Sequence, residues 1–226
     1  MKKAISLLSG GLDSVVSTFK AMENFDLRLC LFFDYGQKAL NKELEAATFY
    51  SDLMGVKLEI IKLDFLKKIT GTALVNEQLP PHMTLEALED PEFVRQSALA
   101  VWVPNRNGLF VNIAGCYCDS MDINNVITGF NFEEASTFSD NSIEFIDAIN
   151  NSLKYSTSNS CKVVSPFCNN SKSVIVKEAI HLNIDLSKIF SCYNNDEKQC
   201  GICESCIRLK KALSDNDIDY SKWFLI

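Results

Sequence analysis

The amino-terminal third of the chain repeats a short apolar strand followed by a helix, and this alternation constrains the fold more than any other feature. Apolar runs predict strands at residues 3–8, 27–33 and 57–63. Between these runs, the spacing of apolar residues predicts helices at residues 12–25 and 37–54. Strands that alternate with helices of this length are typical of an α/β protein with an open parallel sheet and helices on both faces.

The rest of the chain continues the pattern after an irregular stretch. Residues 70–104 contain Pro80, Pro81 and Pro91, and they predict a loop with one helical segment that covers a site. Beyond it we predict helices at residues 109–121, 142–153 and 172–182, and strands at 125–129 and 162–165. The tail from residue 191 is rich in cysteine and then helical. We expect a main domain at residues 1–185 and a small unit at residues 186–226.

Composition excludes several classes of protein. Of the 226 residues, 47% are hydrophobic and 23% are charged, as in a soluble globular domain. No apolar run is long enough to cross a bilayer or to serve as a signal-peptide core, so we expect a cytoplasmic protein. The formal net charge of -7 argues against broad nucleic-acid binding. Nine cysteines are many for a reducing compartment, and they favour a metal site.

A glycine turn stands where the first strand passes into the first helix: Ser9-Gly10-Gly11-Leu12-Asp13-Ser14. Two glycines allow positive φ angles and let a ligand approach bare backbone N–H groups. The following helix adds N–H donors and a partial positive charge, which suit phosphate oxygens at the carboxyl end of a strand. The spacing matches neither G-x-x-x-x-G-K-[ST] nor G-x-G-x-x-G. A simple turn with Asp13 or Ser14 as helix N-cap is the alternative.

The tail carries four cysteines in the pattern C-x7-C-x2-C-x2-C: Cys192, Cys200, Cys203 and Cys206. Thiolates at C-x2-C spacing can hold one tetrahedral ion, and Gly201 lets the turn close. Four sulfur ligands leave no open position, which predicts a structural zinc ion and not a hydrolytic one. Four thiolates also serve an iron–sulfur cluster, and buried or disulfide-bonded cysteines are the third interpretation. The other cysteines are expected to be core or surface thiols.

The glycine turn is similar to the SGGxDS loop of the PP-loop ATP pyrophosphatases, in which the loop holds the pyrophosphate that leaves when ATP adenylates a substrate oxygen. The resemblance implies a Rossmann-like core of the adenine nucleotide alpha hydrolase type with strand order 3-2-1-4-5. It implies ATP across the end of the sheet and Mg²⁺ on its phosphates. The loop residues then bind ATP, Asp13 and Ser14 act in catalysis, and Asp34 contacts the adenosine. A turn aspartate is the alternative for Asp34.

Further segments resemble the 7-cyano-7-deazaguanine synthase family. They are Ser191-Cys192-Tyr193 with Cys200-Gly201-x-Cys203-x2-Cys206-x-Arg208, Phe33-Asp34-Tyr35-Gly36-Gln37-Lys38, Val103-Pro104-Asn105-Arg106-Asn107, and Gly129 with Asn131. The resemblance implies ATP-dependent conversion of 7-carboxy-7-deazaguanine and ammonia to the nitrile, through an acyl-adenylate and an amide, in the queuosine and archaeosine precursor pathway. It implies that Arg106 contacts substrate or phosphate in catalysis, with Lys172 as a second candidate for the phosphate contact.

One stretch departs from the family pattern. The family continues after Gly-x-Asn like D-Y-S-G-Y-P-D-C-R-P-E-F, whereas residues 134–145 match only at Ser136, Asp140, Glu144 and Phe145. We expect a substrate pocket that reads a flat purine-like base by stacking and by its hydrogen-bonding edge, formed by Asn131, Phe138 and Asp140. Asp140 as the cap of the next helix is the alternative.

Two other functions stay open from the sequence. A related PP-loop enzyme would adenylate a different carboxylate or a tRNA base, and a zinc-ribbon module would use the cysteine tail to bind a partner. Enzymes that act on RNA are expected to present a larger basic surface. We therefore expect a deazaguanine and ammonia as partners, with no membrane and no direct nucleic-acid binding, and we keep a homodimer as an option.

Overall fold

A parallel sheet of five strands forms the centre of the structure, a computed structural model that describes residues 1–194 and 197–226. The strands are β1 (Lys2–Leu7), β2 (Phe25–Asp34), β3 (Leu58–Lys62), β4 (Asn125–Ile127) and β5 (Lys162–Val164). They are ordered β3-β2-β1-β4-β5, and every neighbouring pair is parallel. The open parallel sheet and the 3-2-1-4-5 order are therefore confirmed.

Helices connect the strands and extend beyond them. They are α1 (Leu12–Ala21), α2 (Leu40–Met54), α3 (Asp64–Ile69), α4 (Pro91–Val101), α5 (Arg106–Ser120), α6 (Phe132–Ala135), α7 (Ile143–Ser156), α8 (Lys172–His181) and α9 (Glu204–Ser214). Short 3₁₀ turns occur at Ala87–Glu89, Ser139–Asn141 and Leu186–Lys188. The short helices α3 and α6 were not predicted from the sequence, because neither is long enough to show a helical period.

The carboxyl ends of α1 and α2 show how well local sequence signals predict where a helix stops. The helix predicted to reach residue 25 ends at Ala21, because Phe25 already pairs with Lys2 as β2 begins. Strand pairing therefore overrides the helical spacing there. The end of α2 follows the prediction, since Gly55 closes it in the left-handed conformation with a φ of 66°.

Alternate side chains of β2 enter two cores on opposite faces of the sheet. Cys30 and Phe32 pack in one core with α1, α2, α8 and α9, whereas Leu29, Leu31 and Phe33 pack in the other with α5 and α7. Successive residues of a strand point to opposite faces, so a strand buried on both faces reads as a continuous apolar run. The prediction of helices on both faces is confirmed.

The carboxyl-terminal segment packs into the first of these cores. Leu209 and Leu213 of α9 are buried there together with Ile175 of α8. The division of the chain at residue 185 stays a prediction. Across residues 1–194 and 197–226, no helix combines the length and the apolar character that a membrane crossing requires.

Candidate functional site

A cavity of about 260 Å³ opens at one edge of the sheet. Its lining includes residues that directly follow three strands, namely Leu8 after β1, Tyr35 after β2 and Thr128 after β4. The carboxyl ends of parallel strands meet at one edge, and open α/β sheets bind their ligands there. The cavity therefore lies where the glycine turn was expected to act.

Two glycines fix the shape of the turn through close backbone contacts. Gly10 has a φ of 83°, and a Cβ atom on it would lie 2.6 Å from the Glu43 carbonyl oxygen. A Cβ atom on Gly129, after β4, would lie 2.6 Å from the Ser14 nitrogen. Backbone atoms cannot move aside, so both positions require glycine. Gly11 is the N-cap of α1 and no side chain caps the helix, so the interpretation of Asp13 or Ser14 as N-cap is wrong.

Hydroxyl groups hold the turn from both sides. The Ser9 N–H donates to Ser14 Oγ at 3.2 Å. The Leu12 N–H donates at 3.3 Å to Ser191 Oγ, which comes from the residue before the first cysteine of the tail. The cysteine-rich tail therefore packs directly against the glycine turn.

Lys172 places a buried cation in the cavity. Its side chain is 6% exposed, and Nζ lies 2.5 Å from Asp13 Oδ2 and 3.0 Å from Glu134 Oε1. Burial acts to lower the pKa of Lys172, but these carboxylates outweigh it and raise the pKa, so the ammonium group stays charged. Burial acts to raise the pKa of Glu134, but Lys172 and Arg208 hold it below its ordinary value. Among the described residues, no hydrogen bond reaches the buried Asp13 Oδ1.

Arg106 supplies a second cation beside flat aromatic rings. It is the first residue of α5, and its Nη1 donates to Tyr35 Oη at 3.4 Å. The guanidinium lies 5.8 Å from the centre of the Tyr35 ring. One turn along α5, Phe110 stacks on Phe33 with ring centres 4.0 Å apart. This wall can hold a planar ligand that carries a negative group.

Glu43, in the first turn of α2, places a carboxyl group in the cavity. Gln37 Nε2 donates to Glu43 Oε2 and to the Phe33 carbonyl, both at 3.0 Å. Gln37 Oε1 accepts the Tyr35 N–H at 2.9 Å, which fixes the orientation of the amide because a backbone N–H can only donate. Burial raises the pKa of Glu43 to about 7. The carboxyl group can therefore exchange a proton near neutral pH.

The stretch that departs from the family pattern forms another wall. Phe138 lines the cavity and lies parallel to Trp102, with ring centres 6.2 Å apart and planes inclined by 12°. Asp140 lies in a 3₁₀ turn, and its Oδ1 accepts from Asn141 Nδ2 at 3.2 Å. Ser142 caps α7, so the interpretation of Asp140 as that cap is wrong.

The structure brings together part of the predicted site. The residues of that prediction that line the cavity are Ser9, Gly11, Asp13, Ser14, Arg106, Phe138 and Lys172. The predicted residues outside its lining, as far as the described part of the chain shows, are Gly10, Leu12, Asp34, Asn131 and Asp140. Asp34 accepts the Gly36 N–H at 3.1 Å, and Asn131 caps α6. The functional roles given to all these residues stay predictions.

Several polar lining residues were not predicted as site residues, and they include Glu43, Thr128 and Tyr193. Thr128 has a buried hydroxyl without a hydrogen-bond partner in the described ranges. Glu43 and Thr128 had a usable signal, because the first turn of a helix and the end of a strand meet at the ligand edge of such a sheet. Tyr193 belongs to a segment that carries the family resemblance, but its place in the cavity depends on how the tail packs.

The four cysteines of the tail form a compact, buried cluster. Their Sγ atoms lie within 4.8 Å of one another, and Cys200 Sγ lies 3.8 Å from Cys206 Sγ. Zn–S bonds of about 2.3 Å in a tetrahedron place sulfur atoms roughly 3.8 Å apart. The Cys200 and Cys203 N–H groups donate to sulfur at 3.3 and 3.4 Å, which favours thiolates. All four are free, so the disulfide interpretation is wrong, and the donor set fits one tetrahedral ion.

The chain is similar to known proteins over nearly its whole length. A family model described as "Queuosine biosynthesis protein QueC" matches residues 3–217. The 7-cyano-7-deazaguanine synthase of Carboxydothermus hydrogenoformans is 50% identical over 96% of this chain and 100% of that protein. The 7-cyano-7-deazaguanine synthase of Methanosarcina barkeri is 41% identical over 94% of both chains. Among solved structures, NMN synthetase from Francisella tularensis is similar with a TM-score of 0.48 at 14% identity, covering 99% of this chain and 81% of that one.

Proposed function

The chain belongs to the QueC family of queuosine biosynthesis proteins, and from that premise we propose that it is a 7-cyano-7-deazaguanine synthase, an ATP-dependent carbon–nitrogen ligase of the cytoplasm. In the proposed reaction, the carboxyl group of 7-carboxy-7-deazaguanine becomes a nitrile with ammonia as the nitrogen donor. One observation carries the proposal: the glycine turn and Arg106 face the same cavity. Phosphates bound at the turn and a carboxylate bound at Arg106 would meet there.

The glycine turn supplies what the phosphates of ATP, a substrate here, require. The amino terminus of α1 offers N–H donors and a partial positive charge, and Ser9 and Ser14 add hydroxyl groups. The Lys172 ammonium is held in place before any ligand arrives, so it can stabilise the negative charge on departing pyrophosphate without rearrangement. Asp13 Oδ1 is buried without a partner in the described ranges, and it fits a ligand to Mg²⁺, which would neutralise phosphate charge.

The Arg106 wall supplies what a carboxylated heterocycle requires. A guanidinium pairs with a carboxylate through two parallel hydrogen bonds, which orients the carboxyl oxygen for attack on phosphorus. Phe138 offers a ring face for stacking, and Asp140 is the proposed acceptor for the N–H groups of the base. Asn131 Nδ2 is buried and has no hydrogen-bond partner among the described residues, so it is available for a further bond near this wall.

The chemistry needs two activations because a carboxylate and an amide are both poor electrophiles. ATP first converts the carboxylate to an acyl-adenylate, ammonia displaces AMP, and the product is the primary amide. A second activation of the amide oxygen lets AMP leave while the nitrogen loses its protons, which yields the nitrile. Glu43 has a pKa of about 7 and faces the cavity, so it is suited to accept such a proton.

We propose that the cysteine cluster holds a structural zinc ion. Four thiolates occupy every tetrahedral position, which leaves no site for substrate. A cubic iron–sulfur cluster binds each thiolate to a different iron atom and so separates the sulfurs more widely than a single ion does. The Sγ separations, all within 4.8 Å, support the single ion. Its effect on the reaction is indirect, through the contact of Ser191 with the glycine turn.

The decisive experiment measures pyrophosphate release from ATP with 7-carboxy-7-deazaguanine and ammonium, together with the product mass. We expect release only with the carboxylate present, two AMP formed for each nitrile, and an amide that accumulates when ATP is limiting. Release driven by another carboxylate, or by unmodified tRNA, would contradict the substrate and favour a related PP-loop enzyme. A protein that hydrolyses no ATP under any of these conditions would favour a binding module.

A further inference from the structure

Arg208 connects the four-cysteine cluster to the cavity. It lies in α9, two residues beyond Cys206, and its side chain is 12% exposed. Nε and Nη2 donate to Glu204 Oε1 at 3.0 and 2.8 Å. Nη2 also donates to Thr137 Oγ1 at 3.4 Å, and Nη1 lies 3.8 Å from Glu133 Oε2. One guanidinium therefore joins α9, which carries Cys206, to α6 and to the wall that follows α6.

Glu133 continues this connection to the start of α8. Its Oε1 accepts the Lys172 N–H at 2.9 Å, while its Oε2 faces Arg208. The first N–H groups of a helix have no acceptor within the helix, so this bond adds to the side-chain cap of α8 and ties α6 to the start of that helix. Glu134, the next residue of α6, pairs with Lys172 Nζ. The path from the cluster to the glycine turn therefore runs through Arg208, α6 and Lys172 to Asp13.

The charges along this path explain why the position of the Lys172 ammonium group depends on Arg208. The ion pairs of the described residues bring four carboxylates to two cations: Asp13, Glu133, Glu134 and Glu204 to Lys172 and Arg208. A lysine side chain has several rotatable bonds, so its partners decide where the ammonium group lies. Arg208 ties α6 to α9 through Glu133, so its loss frees α6 and with it the Glu134 carboxylate that fixes the position of the Lys172 ammonium group.

We propose that Arg208 is a positioning residue that acts through Glu133 and Glu134 to set Lys172 for the phosphates of ATP. The inference rests on the proposed function, in which Lys172 contacts ATP. The guanidinium has a planar fork that meets Glu204, Glu133 and Thr137 at once, and a lysine cannot reproduce it. The cysteine cluster thereby gains a second effect on the reaction, because α9 carries both Cys206 and Arg208.

The test compares ATP binding in full-length, zinc-loaded variants. The measurements are the Kd of a non-hydrolysable Mg·ATP analogue by calorimetry, the zinc content and the Tm. We expect Arg208→Gln to raise the Kd about tenfold, the effect of roughly one charge-assisted hydrogen bond, with one zinc retained per chain. Arg208→Lys should recover only part of that loss. Lys211→Gln, which removes an exposed charge from the same helix, is the matched control and should stay within about twofold.

A second variant tests the same connection at a residue of α6, outside the cysteine tail. Glu133→Gln keeps an acceptor for the Lys172 N–H but loses the charge that pairs with Arg208, so it should raise the Kd several-fold. The Arg208→Gln, Glu133→Gln double variant should be no worse than Arg208→Gln alone, because both changes break one connection. A general loss of stability would instead add the two effects.

Two results with the variants overturn the inference. One is a Kd within about twofold of the unmodified chain in folded, zinc-loaded Arg208→Gln or, where that variant does not fold, in Glu133→Gln. The other is full additivity in the double variant. An unmodified chain that does not bind the analogue overturns it as well. An unmodified chain that binds the analogue but releases no pyrophosphate with the carboxylate contradicts the proposed function alone.

Discussion

The cysteine cluster and the cavity differ in how much of the chain each requires. Residues 192–206 contain all four cysteines, and their Sγ atoms lie within 4.8 Å of one another. The cavity takes its lining from Leu7 through Ser205 and exists only once the sheet has formed. The first region should therefore respond to mutation in an all-or-none way because it depends on one ion. Mutations in the cavity should have graded effects, and some should impair the use of ATP while others impair the use of the carboxylate substrate.

The largest effect is expected at the metal. Cys203→Ser should release about one zinc per chain and lower the Tm by roughly 10 °C or more, because metal-binding free energy is folding free energy at such sites. Elemental analysis and thermal unfolding measure both quantities. Cys116→Ser, at an exposed cysteine, is the matched control and should change neither. Iron with inorganic sulfide, or no metal in the unmodified chain, would contradict the zinc assignment.

Asp13→Asn tests whether the use of ATP can be lost while the fold stays stable. The change removes a carboxylate that pairs with Lys172, while Glu134 still pairs with the ammonium group. We expect kcat/KM for ATP to fall about a hundredfold, roughly 2.7 kcal/mol, while the Tm stays within a few degrees. Asp52→Asn, at an exposed position of α2, is the control. A drop in Tm without a separate defect in ATP use would show that the Asp13–Lys172 pair has only a structural role.

Glu43 makes the cavity respond to pH in a predictable direction. Its ordinary pKa of 4.5 is raised to about 7 in the folded protein, so the folded state disfavours the ionised form. The stabilisation from the neutral group is complete below pH 4.5 and is lost as the pH rises through 7. The shift corresponds to about 3 kcal/mol, and contact with cavity water reduces this to about 2 kcal/mol.

Glu43→Gln should remove this pH dependence, since a neutral amide still accepts the bond from Gln37. Denaturant unfolding measures how far the free energy of unfolding falls between pH 5 and pH 8. That fall should be about 2 kcal/mol smaller in the variant than in the unmodified chain. Glu45→Gln, an exposed neighbour on α2, is the control. Equal pH dependence in both proteins would mean that Glu43 is ionised in the folded state at pH 5.

The smallest effect separates the substrate wall from the phosphate end. Asp140→Asn should raise the KM for 7-carboxy-7-deazaguanine about tenfold, near 1.4 kcal/mol, and leave the KM for ATP unchanged. Ser142→Ala, which removes the actual cap of α7, should cost about 1 kcal/mol of stability with unchanged kinetics. A lower KM for the carboxylate in Asp140→Asn would show that Asp140 does not bind the base and only offsets the positive charge of Arg106.

Much of the fold could be read from the sequence because its signals are local. The apolar runs of β1, β2 and β3 and the glycine after α2 predicted those elements. The extent of α1 could not be read, since pairing of Phe25 with Lys2 depends on another strand. Likewise the sequence alone allows Asp140 as the cap of α7, whereas the backbone conformation gives that position to Ser142.

By itself, the sequence determined the parallel α/β class, the glycine turn after the first strand and the grouping of four cysteines. Each depends on the spacing of residues that are neighbours in the chain. The tertiary structure alone decided that Lys172 meets Asp13, that Glu43 faces the cavity, and that Arg208 links α9 to α6. Those contacts join residues far apart in sequence, and buried charges find their partners only when the elements that carry them have packed together.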